Sequence, residues 1–371
     1  LRARALRLGA AVNTDTGARR PAWWRLPLLA LGFVDLFTGV DASLARLAWP
    51  MPDVVAGVAA LHGPLMVCGF FGVVISIERA VAIARPWAYG APLAAGLGTA
   101  TLLHGAASAT PWLYLAAGAL LLAASLQVLA RQREGFTLVI VLGGACWVIG
   151  TALWAFGAPV YRVVAWWIAF LVLTIAGERL ELSRFLPPSV TARRAFAGIV
   201  VLLLGSLAAW PLAGAPHAFG MALLALAAWL LKQDIARRTV KQQGLTRFIA
   251  VCLLSGYFWL AVGGGVIAFA GLAPGNPAYD AALHALLLGF VFSMVFGHAP
   301  IIFPAVLRVA VPYHPVFYGP LVLLHLSLVL RLGGDASNAF DAIRWGALAS
   351  ALALLAFIGV TVSAVVRARA A

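Results

Sequence analysis

The sequence predicts an all-α polytopic membrane protein: twelve transmembrane helices in one bundle, with both termini on the same side. Three observations carry that prediction. Hydrophobic residues make up 63% of the chain and charged residues only 10%, with a mean hydropathy of +0.99, outside the range of soluble domains. Long apolar runs recur from Trp23 to Val366, each of a length that suits a bilayer. The cations also sit in short segments between those runs. A net charge of +14 therefore reads as the positive-inside signal of a membrane protein and not as a nucleic-acid surface.

Taken in order, the spans are expected near 23–40, 53–77, 87–107, 111–130, 136–156, 161–182, 195–213, 216–232, 246–271, 279–304, 316–333 and 341–366. With the N-terminus placed in the cytoplasm, 22 of the 26 basic residues fall on the inner side. Only Arg46, Arg162, Arg331 and Arg344 face outward. An odd number of spans would scramble that split, so the charges favour twelve, N-in and C-in, in a bacterial inner membrane. Residues 1–22 form a basic cytoplasmic tail suited to anionic lipid, 23–366 form a single transmembrane domain, and 367–371 form a cytoplasmic C-terminus. The outer loops are short and rich in turn residues, such as GAP at 157–159 and APGNP at 273–277, leaving no room for an outer domain. The longest polar segment, Lys232 to Arg247, reads as a solvated inner loop. Cys68, Cys146 and Cys252 fall inside apolar runs and form no CxxC, no CxxCH and no disulfide framework.

The tenth span, YDAALHALLLGFVFSMVFGHAPIIFPAVLR, carries two histidines, His284 and His298, and little else that is polar. Fourteen residues of helix place them about 21 Å apart on nearly one face, too far to share a metal ion. Ionisable groups inside a span mark a functional site by default. Counting from the span ends sets a depth for each histidine. His62, His284, His104 and His217 belong to the outer half, and His298 and His325 match on the inner side. His314, in the loop PYHP, suits a turn. Two imidazoles facing each other at one level, with small residues beside them, can hold a haem iron. LHGPLMVCGFFG around His62 offers glycines for that room, as do Gly289 and Gly297 around His284. The candidate pairs are His62 with His284 and His298 with His325. Three of the four methionines lie four residues from a histidine: Met66 from His62, Met221 from His217, and Met294 from His298. Histidine with thioether suits Cu(I), so His62, His284, His104, His217 and Met66 form a second candidate set for metal. Methionine as soft packing accounts for the same spacing.

Span 2 ends ISIERAVAIARP and span 6 ends IAGERLELSRFLPP, which puts Glu78-Arg79 and Glu178-Arg179 in equivalent places four spans apart. Ordinary interfacial ion pairs explain this as well as an internal repeat does. Asp35 is the one acid expected at mid-span.

The stretches LHGPLMVCGFFGVVISIERA, AGERLELSRF and LHALLLGFVFSMVFGHAPIIFP, together with the number of spans, resemble the NnrS family, distant membrane relatives of subunit I of the haem-copper oxidases. The resemblance implies an oxidase-like bundle, a haem b with copper as a second cofactor, and a role in resistance to nitric oxide. By the oxidase pattern His62 and His284 would be the axial ligands of a low-spin haem. Spans 6 and 7 contain no histidine, so the oxidase copper site is missing and oxygen reduction with proton pumping is not expected.

Three functions stand in competition at this point. The first is a haem protein handling electrons or binding a small gas such as nitric oxide, the second a transporter of copper or another metal. The third is a structural subunit of a respiratory membrane complex. The expected partners are the lipid bilayer, haem, a gas ligand and a respiratory-chain subunit, with no nucleic acid.

Overall fold

The computed structural model describes residues 22–182, 188–210 and 212–370. Most of the basic tail, Arg184 and the last residue lie outside those segments. Among the described residues there is no strand, and eleven helices are long and apolar enough to cross a bilayer. Numbered in chain order, these are α1 (Trp23–Arg46), α2 (Ala59–Ile83), α4 (Thr110–Arg131), α5 (Gly135–Ala155), α6 (Val160–Leu182) and α7 (Val190–Ala208). They continue with α8 (Ala215–Gln233), α9 (Gly244–Ala270), α10 (Pro277–Leu307), α11 (Pro315–Ser337) and α12 (Phe340–Arg369). The chain is a multi-pass membrane protein.

The expected third span is the exception. Its helix, α3, covers Gly90–Leu103, only 14 residues. That is about 21 Å at 1.5 Å per residue, against a hydrocarbon core of about 30 Å. The sequence GAPLAAGLGTATLL is rich in small residues, and a 3₁₀ turn at Pro86–Tyr89 precedes it. The segment still packs as a helix between α2 and α4 and against α1.

Consecutive helices joined by short loops form the strongest packed pairs: α5 with α6, α8 with α9, and α11 with α12. Helix α6 is the central one. From Val163 to Gly177 every residue except Trp166 is buried, as expected for a helix apolar all round. Helix α1 is pinned to the end of α10, where the Ala22 amide donates to the Leu307 carbonyl at 3.0 Å and Arg25 Nη1 donates to the Val306 carbonyl at 2.8 Å.

Helices α2 and α10 share an unusual construction. Each turns π-helical just after a histidine, His62 or His284, over Leu65–Phe71 in α2 and Ala285–Phe292 in α10. Each ends on a non-glycine residue in the left-handed region, Ala84 (φ 51°) and Arg308 (φ 57°). π turns are rare and concentrate at functional sites. The rings of Phe70 and Phe292 stack with centroids 5.8 Å apart and planes within 2°. Phe70 lies eight residues beyond His62, and Phe292 eight beyond His284. One contact therefore sets the two helices parallel and brings the histidines level.

Two further contacts set the heights of α9 and α11. Trp259 of α9 lies against Gly289 of α10 so closely that a Cβ there would run into the indole. Trp259 Nε1 in turn donates to His325 Nδ1 of α11 at 3.0 Å. Gly289→Ala is accordingly expected to cost about 1–3 kcal/mol through overpacking, read as a lower Tm in detergent. An unchanged Tm would contradict this close approach of α9 to α10.

Candidate functional site

The strongest convergence of polar side chains lies where α10 begins. Asn276 caps the helix, its side chain accepting from the Ala278 amide at 2.9 Å, so Asp280 falls in the first turn, where the helix dipole favours an acid. Arg331 of α11 holds that carboxylate with two nitrogens, Nε at 3.0 Å and Nη2 at 2.9 Å. One turn further along α10, His284 Nδ1 donates to the Asp280 carbonyl at 2.8 Å and lies 3.2 Å from the Asp280 carboxylate. Both partners of Nδ1 are oxygens, so Nδ1 carries the hydrogen and Nε2 is the nitrogen directed away from Asp280. His62 of α2 faces this cluster: His284, Arg331, Arg46 and Asp280 all lie within electrostatic reach of it. Its Nδ1 is buried with no hydrogen-bond partner. An orphaned buried imidazole nitrogen is rare enough to call for a ligand, an ion or a water.

The other expected ligands do not join this group. His104 is exposed and donates Nδ1 to the Ala100 carbonyl of its own helix at 2.9 Å. His217, also exposed, ties α8 to α9 by donating to the Ala268 carbonyl at 2.9 Å. Met66 packs against Gly39 of α1 and Met294 against Gly256 of α9, while Met221 is half exposed. Spacing put these methionines beside histidines, and the structure uses Met66 and Met294 as packing. Among the described residues no group of three or more His, Cys, Asp or Glu side chains could hold a metal ion. His314 does serve a turn, its Nδ1 accepting from the Val316 amide at 3.2 Å.

His298 and His325 do not share a level. His325 stands beside Trp259 and hence beside Gly289, nine residues up α10 from His298, which is about 13 Å. Each keeps a buried, unpartnered Nε2. His298 donates Nδ1 to the Met294 carbonyl at 2.7 Å and lies within electrostatic reach of Arg179 and Asp234.

Those two residues form a second cluster that the sequence did not reveal. Arg179, at the inner end of α6, makes a two-nitrogen ion pair with Asp234, at 2.7 Å and 3.0 Å. The same carboxylate accepts from the Tyr257 hydroxyl of α9 at 2.8 Å and from the Ala236 amide at 2.7 Å. Glu78, Arg79, Glu178, Arg179 and Glu181 interact electrostatically nearby, so the recurring Glu-Arg pairs of α2 and α6 do meet. Asp234 looked like part of a solvated loop, and Tyr257 is a lone hydroxyl in an apolar run. No spacing could have joined them.

Between α1, α2, α10 and α12 lies a cleft of about 380 Å³, lined almost wholly by apolar side chains. Phe70 and Phe292 form its wall on the histidine side, and neither histidine lines it. Arg369, whose guanidinium sits 4.3 Å from the Trp23 ring centre, lies at the far end.

The fold and these clusters define a class: a helical membrane protein with two half-buried histidines in electrostatic reach of each other near one end of the bundle and a buried carboxylate–guanidinium network toward the other. Over residues 25–366 the chain matches the family described as a domain of unknown function, DUF8744, and it belongs to that family. No curated protein and no solved structure matches it.

The Arg179–Asp234 pair is almost wholly buried, with side-chain exposures of 4% and 1%. Asp234→Ala would remove a carboxylate that accepts from Arg179, from Tyr257 and from the Ala236 amide, and a loss of about 3 kcal/mol is expected. Equilibrium unfolding in mixed micelles measures it, and Asp234→Asn should cost less because it can still accept from Tyr257.

Proposed function

We propose that the chain is a haem b-carrying relative of the NnrS proteins, in which His62 and His284 hold the iron from neighbouring parallel helices. The observation that carries this reading is the electrostatic proximity of the two imidazoles, on two helices that each turn π-helical just beyond their histidine. The donor set suits such an iron. The Asp280 carboxylate behind His284 Nδ1 is the partner that orients a metal-ligating imidazole and raises its basicity, and Arg331 holds that carboxylate in turn. Room for a macrocycle is the stricter requirement. The nearest space is the apolar cleft beyond Phe70 and Phe292, so those two rings would have to turn aside to join it to the histidines.

When bound, the haem would supply an iron that exchanges single electrons, and a diatomic gas could reach that iron only by displacing one of the two imidazoles. The protein's own part is to orient His284 through Asp280, to hold His62 level with it, and to exclude water with the aromatic floor. A role in nitric oxide stress follows from the resemblance to NnrS. The oxidase-like count of twelve spans is part of the same reading, with α3 crossing as a short helix covered by its neighbours. So are the N-in, C-in orientation in a bacterial inner membrane and copper as a second cofactor.

Protein purified from haem-replete cells is expected to show a b-type optical spectrum, reduced or lost in His62→Ala and in His284→Ala. A colourless, iron-free preparation would overturn the proposal. Copper found without iron would favour the transporter.

A further inference from the structure

Asp35 stands midway along α1. It is fully buried, and neither of its carboxylate oxygens has a hydrogen-bond partner. Other helices crowd it. From α2 comes Gly69, where an added Cβ would sit 3.1 Å from Asp35 Cγ and 3.1 Å from Thr99 Oγ1. Only glycine lets carboxylate and threonine come this near the α2 backbone. From α3 comes Thr99 itself, and from α4 comes Tyr114, both also fully buried. Their hydroxyls share a hydrogen bond of 2.7 Å.

The nearby titratable groups are few. Tyr114 on α4 lies within electrostatic reach of Asp35, and Cys68 on α2 within reach of Tyr114. The Cys68 thiol is already engaged by Trp147 Nε1 of α5, at 3.4 Å. No arginine, lysine or histidine is among the groups acting on Asp35.

An ionised carboxylate in such surroundings, with no counter-ion and only the Thr99 hydroxyl beside it, is among the costliest groups a membrane bundle can hold. Something must be bound to it. A proton is the partner that fits. The acid hydrogen can be donated to Thr99, and each hydroxyl both accepts and donates, so Asp35, Thr99 and Tyr114 make a continuous line. A second hydroxyl pair continues it. Thr101 Oγ1 and Thr110 Oγ1 are 3.1 Å apart on the same two helices, one turn of α4 nearer the exposed end that carries His104. One helical turn of backbone rise is about 5.4 Å, and a bridging water is the group that would join the two pairs.

We infer that Asp35, Thr99 and Tyr114 form a proton-binding site inside the bundle, loaded from the His62 end through the Thr101–Thr110 pair. Loading is a relay. A proton enters at the rim, where Thr101 turns its hydrogen from the Gly98 carbonyl, to which it donates at 2.8 Å. Each hydroxyl passes its own hydrogen inward as it accepts the next, and the carboxylate takes the last one. No electron moves. The site rests on the burial and neighbours of Asp35, and so stands or falls apart from the haem reading.

Infrared spectroscopy of the full chain in lipid nanodiscs tests it. Wild-type protein should show a protonated-carboxyl stretch that is absent in Asp35→Asn. On transfer to heavy water, the deuterium shift of that band should slow roughly tenfold or more in Thr99→Val and in Tyr114→Phe, each of which removes one hydrogen-bonded relay group. Tyr114→Phe keeps the ring stacked on Trp154, so the test does not depend on a single variant. Identical carboxyl bands in wild type and Asp35→Asn would overturn the site. Wild-type exchange rates in both relay variants would overturn the route. Loss of the band on adding sodium at constant pH would make this a cation site and overturn the assignment of a proton.

Discussion

The two-nitrogen grip of Arg331 on Asp280 sets the height of α11 against α10 at the end where the imidazoles meet. Inside lipid, helices gain little by burying apolar faces on one another, since acyl chains are as apolar as leucine. Sliding two such helices by a turn costs little unless a polar contact must break. Breaking this one would leave a guanidinium, 4% exposed, without its partner. The same carboxylate fixes the ring of His284, so one ion pair sets both the register of a helix pair and the orientation of a candidate ligand. The Phe70–Phe292 stack carries that height across to α2 and His62.

The structure separates its buried polar groups along the bundle. Asp280, His284, Arg331 and His62 lie near one end, and Arg179, Asp234, Tyr257 and His298 nearer the other. In the second group one carboxylate receives two guanidinium hydrogen bonds, a phenol and an amide. That is close to full satisfaction, and it is what makes burial of the pair tolerable. The first group is less complete: His62 Nδ1 and Asp335 Oδ2, the latter on α11, remain buried without partners, against His298 Nε2 in the second. The incomplete cluster is the better candidate for binding something, because a ligand there would relieve a cost already present.

Much of this could be read from the sequence, and what could not has definite causes. Eleven of the twelve expected segments are helices of spanning length because their apolar runs are long. The exception, α3, was counted on a run whose many small residues fill space without adding much apolar surface. His62 and His284 come into electrostatic reach of each other although counting from the expected span ends set them at unequal depths, because both lie in helices that turn π-helical just beyond the histidine. Pairing His298 with His325 by depth did not hold. Depth was measured from the inner ends of two spans, and α10 has 31 residues against 23 in α11. Helices of unequal length do not share end points. Asp234 and Tyr257 could not have been joined from sequence, since one sits beyond a helix end and the other inside an apolar run. Their meeting is a fact of tertiary packing.

Asp35 links these observations. It rests against Gly69, within the same π segment that follows His62 and seven residues along α2 from it, about 10 Å. No histidine is among the groups acting on Asp35, and Asp35 is not among those acting on His62. Phe70, Phe71 and Cys68, all buried on that stretch of α2, stand between the two, so one unusual stretch of helix serves two centres that are electrostatically separate.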